Sequence, residues 1–392
     1  MLYLDYAATT PPYPEVVEAV REVMVRFYGN PSSIHRIGME AERLVIQSRE
    51  TIAGILRVKP AELIFTSCGT ESNNLAVKGA ALAARNRGNH MITTPIEHAS
   101  VSESVRQLES LGFRITVVPV DESGAVRLDK LEEALDAETV LVSVMHVNNE
   151  MGRIQPIADV ARLLKAYPAA LLHVDGVQSV GKLPFSPAEL GIDLLSASAH
   201  KFRGPKGAGF LYCREGVRLE PLLAGGGQEG GSRSGTENVP LIVGMAKALR
   251  MATDRLDDAI ERKRLFRAVL AEGIASIPEL RLTGPTDGEG MAPHIVHLTF
   301  PGMKSEVVVH ALERHGYFIS TKSACSSGEE KPSGTLLAMG FDKPRAVSGL
   351  RISYPEDYTE DDARRFVTAL RDVVAELRPM IRKSKQAGGS PR

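Results

Sequence analysis

Between residues 62 and 213 the chain repeats one alternation, in which short and nearly continuous apolar runs are separated by segments of helical period. The runs are ELIFTS (62–67), HMITT (90–94), RITVVPV (114–120), TVLVSVMHV (139–147), ALLHVD (170–175), DLLSASA (193–199) and GAGFLYC (207–213). A small-residue helix fits 70–86, closed by Gly88, and others fit around 98–111, 128–135 and 156–166. A strand that is apolar throughout must be covered on both faces, and strands joined through helices run parallel. We therefore expect an α/β fold with a large, mainly parallel sheet of the seven-stranded type. Two amphipathic helices precede it. The first, 14–27, carries Val16, Val17, Val20, Val23, Met24 and Phe27 on one stripe, with Pro14 suiting its first turn and Gly29 its end; the second covers about 38–56.

After residue 238 the texture changes. A long helical stretch, 239–275, leads to IVHLTF (295–300), helices near 305–314 and 333–339, a strand at 349–353 and a helix from about 360 to 381. That describes a smaller α+β unit. At 392 residues, a prior of about 150 per domain allows two or three domains. We place a large unit at 15–254 and a small one at 1–14 plus 255–382, with 383–392 as a tail that composition marks as disordered.

Forty-seven basic against 48 acidic residues leave a net charge of −1, which argues against nucleic-acid binding through a general basic field. No apolar run reaches the length of a membrane span, and the N-terminus has no signal-peptide pattern. Cys68, Cys213 and Cys325 stand far apart without a CxxC pair, so neither a disulfide framework nor a metal site is expected. A reducing cytoplasm is the natural compartment.

Ligands of parallel α/β sheets bind at the carboxyl ends of the strands. One such end runs into CGTESNN (68–74), where Gly69 and Thr70 open a helix and offer N–H groups and a hydroxyl to an anion, although an ordinary helix cap is an equal reading. Another ends in Asp175, which alone reads as a cap. A third ends in SASAHK, delivering Lys201, an amine nucleophile if buried and loop decoration if exposed. Each is weak alone. Together they supply what pyridoxal 5′-phosphate (PLP) needs: donors for its phosphate, a carboxylate for its pyridine nitrogen and a lysine for its aldehyde. His98 follows another strand and could lie flat on the ring.

TSCGTESNN, EHAS, MHVNNEMGRIQ (145–155), HVDGVQSVGK (173–182), SASAHKFRGPKG, GGGQEGGSRSGT (225–236) and SACSSG (323–328), with LDYAATTP and NPSSIH before them, resemble the successive signatures of the NifS/IscS-type cysteine desulfurases. These belong to the class V aminotransferase group of fold-type I PLP enzymes. The resemblance spans residues 2 to about 353. It implies that Lys201 holds PLP covalently, Asp175 pairs with the pyridine nitrogen, Gln178 bonds the ring hydroxyl and His98 stacks on the ring and shuttles protons. It further implies phosphate binding by Gly69, Thr70, Ser198 and His200, with Thr236 reaching the cofactor of a neighbouring subunit in a homodimer. Asn149 and Arg351 would hold the substrate, L-cysteine. Cys325 would accept its sulfur as a persulfide and pass it to an acceptor protein, for iron–sulfur clusters or for thiolation of tRNA or another cofactor. A lone cysteine is usually a small buried hydrophobe, but Cys325 sits in SACSSGEEKPSG, too polar for a core. Cys68 and Cys213 read as structural.

The chain departs from the family at Lys322, where glycine is common, in EEKPSGTL after the cysteine loop, and in SYPEDYT (353–359). These changes bear on the sulfur acceptor rather than on the cofactor. GGGQEG satisfies GxGxxG but follows no strand and opens no helix, against a dinucleotide site. A selenocysteine lyase-like enzyme and a catalytically quiet sulfur-transfer partner are the competing functions.

Overall fold

The computed structural model describes residues 1–321 and 332–387, with side chains to residue 380. The expected apolar runs form strands β2 (Leu63–Thr66), β3 (His90–Thr93), β4 (Arg114–Val117), β5 (Thr139–Ser143), β6 (Leu171–Asp175), β7 (Leu194–Ser198) and β8 (Gly209–Cys213), after a short β1 (Leu2–Tyr3). β2 to β8 build one seven-stranded sheet in the order β2-β8-β7-β6-β5-β3-β4. β3 to β7 pair in parallel, and β8 runs antiparallel between β2 and β7. β2, β3, β5, β6 and β7 are buried along their whole length, as their composition requires. Several runs prove shorter than expected because their last residues turn away from the sheet to approach one common edge.

Helices cover both faces. Pro14–Arg26 and Arg36–Leu56 pack with Val239–Thr253 around a core containing Val16, Ile52, Phe210 and Leu249. The small-residue helix is Gly69–Asn74, one π turn (Leu75–Gly79) and Ala80–Ala84, and its apolar side joins Met91, Val105 and Leu141 in a second cluster.

The expected 239–275 helix is two helices, Val239–Thr253 and Leu256–Ala275. The break follows from what each must bury. The first packs on the core under the large sheet, while Phe266, Leu270 and Ile274 of the second enter a separate core with Leu4, Phe366 and Leu370. Asp257 and Asp258 then occupy the first turn of the new helix, where carboxylates are favoured.

Around that separate core lie β9 (Arg281–Leu282), β10 (Ile295–Thr299), β11 (Tyr317–Phe318) and β12 (Gly349–Ser353). β10 pairs antiparallel with β9 and β12, and β1 pairs in parallel with β11, so the first residues of the chain are stitched to its last third. The final helix is Glu360–Ala387, against an expected end near 381.

Candidate active site

Because β3, β5, β6 and β7 are parallel and β2 shares their direction, their carboxyl ends deliver residues to one side of the sheet. There a cavity of about 180 Å³ is lined by Gly69, Thr70, His98, Asn149, Asp175, Gln178, Ser198, His200, Lys201 and Arg351. Ten of the twelve residues singled out from sequence thus meet in one place. Thr236 lies outside it, on a separate cavity beside Ser67 and Arg233. Cys325 and Lys322 lie outside the described residues.

Asp175 ends β6 and is buried. Its Oδ2 accepts from Asn73 Nδ2 at 2.8 Å and its Oδ1 from the Val177 N–H at 3.0 Å. Asn73 also donates to Ser100 Oγ at 2.8 Å, and that hydroxyl lies 2.8 Å from His98 Nδ1. His98 caps the helix Ala99–Ser110, its Nδ1 accepting the Ser100 N–H at 3.2 Å. An Nδ1 that accepts must carry its proton on Nε2, so the network sets the tautomer. Burial holds the imidazole below its ordinary pKa, with Lys201 adding to that effect and Asp175 opposing it.

Lys201 follows β7 in the short turn Ala199–Lys201, and its Nζ donates to the Ala7 and Ala8 carbonyls at 2.7 Å each. Gln178 Nε2 donates to the same Ala7 carbonyl at 2.8 Å. His200 is pushed down to about 3 by burial and by Lys201, Lys182 and Lys206, and its Nδ1 pairs with Thr9 Oγ1 at 3.1 Å. The AATT segment therefore forms one wall of the site.

Arg351, on β12, is 1% exposed. Its Nη1 donates to the Asn149 carbonyl at 2.7 Å and its Nη2 to Asp5 Oδ1 at 2.8 Å, and Nε is enclosed without a partner. The guanidinium is thereby aimed by the N-terminal segment and by the loop after β5. Cys68, read as structural, also lines the cavity, whereas Cys213 lies elsewhere with its thiol pushed up to about 12 by burial.

Sequence reasoning missed Asn73, Ser100 and Asp5, although all three stand in the motifs it quoted. Asn73 and Asp5 carried no signal; for Ser100, a short polar residue at a helix start was the available one. Its partner across the sheet could not be read from the chain.

The arrangement is that of an enzyme holding an anionic, ring-bearing group between a buried carboxylate and a lysine. A family model described as Aminotransferase class-V matches residues 2–366. The chain is 42% identical over 95% of its length to a "NifS/IcsS protein homolog" of Lactobacillus delbrueckii subsp. bulgaricus, covering 97% of it. It is also 42% identical over 96% of its length to "Cysteine desulfurase IscS" of Dictyoglomus turgidum, covering 95% of that protein. A solved "NIFS-LIKE PROTEIN" superposes with a TM-score of 0.90 at 39% identity, over 96% of this chain and 100% of the other. The chain belongs to the aminotransferase class-V family, in its NifS/IscS-type branch, and is a PLP-dependent enzyme of fold type I.

The residues present fit that cofactor. Ser198 Oγ is enclosed without a partner, an arrangement that calls for a ligand acceptor. Gly69 opens its helix so close to Val177 that a Cβ would meet Val177 Cγ2 at 2.7 Å, which keeps the first-turn N–H groups unobstructed. Among the described residues no helix is long and apolar enough to cross a membrane.

Proposed function

We propose that this chain is a cysteine desulfurase, converting L-cysteine to L-alanine and leaving the sulfur as a persulfide on Cys325. The observation that carries the reading is the meeting of Lys201, Asp175, His98 and Arg351 at one cavity, in a chain whose relatives at 42% identity include one named for that activity.

PLP would be held by Lys201 through its amine, by Asp175 at the ring nitrogen, by Gln178 at the ring hydroxyl and by Gly69, Thr70, Ser198 and His200 at the phosphate. When bound, it supplies an electron sink that weakens the bonds at the α and β carbons of an attached amino acid. Arg351 and Asn149 receive the substrate, the guanidinium forking onto its carboxylate. Lys201 would take the α-proton of the substrate. His98, with its proton on Nε2, would face the bound ring and would move protons there. The Cys325 sulfur attacks the substrate sulfur: one S–S bond forms, one C–S bond breaks, and the thiol proton ends in alanine. Cysteine plus thiol gives alanine plus persulfide, with no outside oxidant.

We further infer two units, 15–254 and 1–14 with 255–382, and a cytoplasmic homodimer in which Thr236 serves the other subunit's cofactor. Its position away from the Lys201 cavity supports this. So do the exposed side chains of Val17, Met24, Val25, Tyr28 and Ile34 along the first helix and the turn after it. The sulfur passes to an acceptor protein serving iron–sulfur cluster assembly or thiolation. Sulfide release from cysteine, measured with and without dithiothreitol, tests the activity. Release that needs the reductant, with alanine formed in step, supports it. Selenide from selenocysteine with no sulfide from cysteine would favour a lyase, and neither product a quiet partner.

A further inference from the structure

The catalytic assignments leave one buried amine unused. Lys182 is 7% exposed and stands one helical turn beyond Gln178. Its Nζ donates to Gln178 Oε1 at 2.9 Å. It reaches that atom from behind the site, from a second cavity of about 30 Å³ whose wall it shares with Lys201, Lys263, His294 and Glu356. The other end of the Gln178 amide lies 2.8 Å from the Ala7 carbonyl. A carbonyl can only accept, so the atom facing it is the amide nitrogen and the atom facing Lys182 is the oxygen. One amide is thus read from both ends, and its orientation is fixed by the network rather than chosen.

We propose that Lys182 is a positioning residue for the cofactor: by holding Gln178 Oε1 from behind, it makes Gln178 offer an N–H, never a carbonyl oxygen, to the cavity. The second hydrogen on Nε2, which Ala7 does not use, is then the donor for the ring oxygen of PLP; this step rests on the cofactor reading above. Without Lys182 the amide oxygen would be left buried and unpaired, and rotation of the amide would place a lone pair against an oxygen that carries negative charge. The groups around Lys182 are cationic Lys201, Lys263 and Arg351, the Glu356 carboxylate and the buried His294 imidazole. Burial, the larger influence, and the cations push the Lys182 amine well below its ordinary pKa, against the pull of Glu356. A neutral amine still has N–H groups for Oε1.

The test follows the visible absorbance of the PLP-loaded protein as pH is varied. Losing a donor to the ring oxygen makes the bound cofactor hold its proton more tightly. Lys182→Met should raise the titration midpoint by roughly one pH unit, the size of one lost hydrogen bond to a charged group. Gln178→Ala should give a similar rise, and adding Lys182→Met to Gln178→Ala should give no more. Lys182→Gln, which keeps an N–H, should restore most of the shift. An unmoved midpoint in Lys182→Met, or an equal further shift in the Gln178→Ala background, would overturn the proposal while leaving the cofactor reading intact. A wild-type chain that takes up no PLP would overturn both. Failure of both Lys182 variants to fold would make Lys182 a stability residue and overturn it too.

Discussion

His98 shows how little of a side chain's behaviour lies in the side chain itself. Burial keeps the imidazole below its ordinary pKa, and its tautomer is set by Ser100 and, further back, by Asn73 and Asp175. Ser100→Ala removes the hydroxyl from Nδ1 and leaves one Asn73 N–H without its acceptor while the other stays on Asp175. We expect kcat to fall roughly tenfold with an altered pH profile, while PLP content and cysteine KM stay near wild type. Steady-state kinetics across pH checks this, and an unchanged profile would reduce Ser100 to a structural residue of the helix's first turn. The preceding residue makes a different prediction. Burial raises the Glu97 carboxyl to about 8 from an ordinary 4.5, and its Oε2 is enclosed without a partner. The fold therefore favours the neutral acid. That contribution is complete below about pH 4.5 and is lost as pH rises towards 8. Denaturant unfolding should show wild-type stability falling by a few kcal/mol across that window beyond any fall in Glu97→Gln. Parallel curves for the two proteins would contradict it. The three residues missed in the sequence share a cause. Asn73, Ser100 and Asp5 act on neighbours contributed by other elements, and a chain read alone gives residue types without partners.

The strand–helix alternation made the large sheet legible because its inner strands are buried on both faces and so almost wholly apolar, while only the edge strand β4 is largely exposed. Strand direction was not legible in the same way. β8 (GFLYC) has the composition of its parallel neighbours but runs against them, since a buried strand looks the same from either end. Nor was the break after Thr253 visible, where DRLDD has good helix formers on both sides and only the demand to serve two cores ends the helix. The helix opened by Gly69 is the element to which the proposed function assigns the phosphate. Gly69→Ala would drive a methyl into Val177 and Ser198 and tilt the first turn. We expect the fold to persist with PLP affinity reduced at least tenfold, about 1.4 kcal/mol, measured by cofactor titration of the apoprotein. Affinity equal to wild type would mean that the phosphate is held elsewhere.

At the scale of the molecule, the two ends of the chain converge on the reaction centre. β1 pairs with β11, the residues just after it hold Lys201 and Gln178, and Asp5 braces Arg351 on β12. Arg351 and Lys201 are thus aimed by one short N-terminal segment. Only the family resemblance singled that segment out in the sequence. The SYPEDYT segment, a departure from the family, is absorbed into this frame. Glu356 pairs with Lys263 at 3.0 Å and Asp357 with Arg203 at 2.7 Å, two residues beyond Lys201. The central claim is that this frame breaks the C–S bond while Cys325 takes the sulfur. The direct measurement incubates the PLP-loaded protein with sulfur-labelled L-cysteine, without reductant, and maps the label by peptide mass spectrometry while alanine is counted. The account predicts one labelled sulfur on the peptide containing Cys325 and an equal amount of alanine. It also predicts loss of both in Cys325→Ala, with PLP still bound. A Cys325→Ala protein that makes alanine from cysteine at near wild-type rate, or label on Cys68 in the wild type, would contradict it.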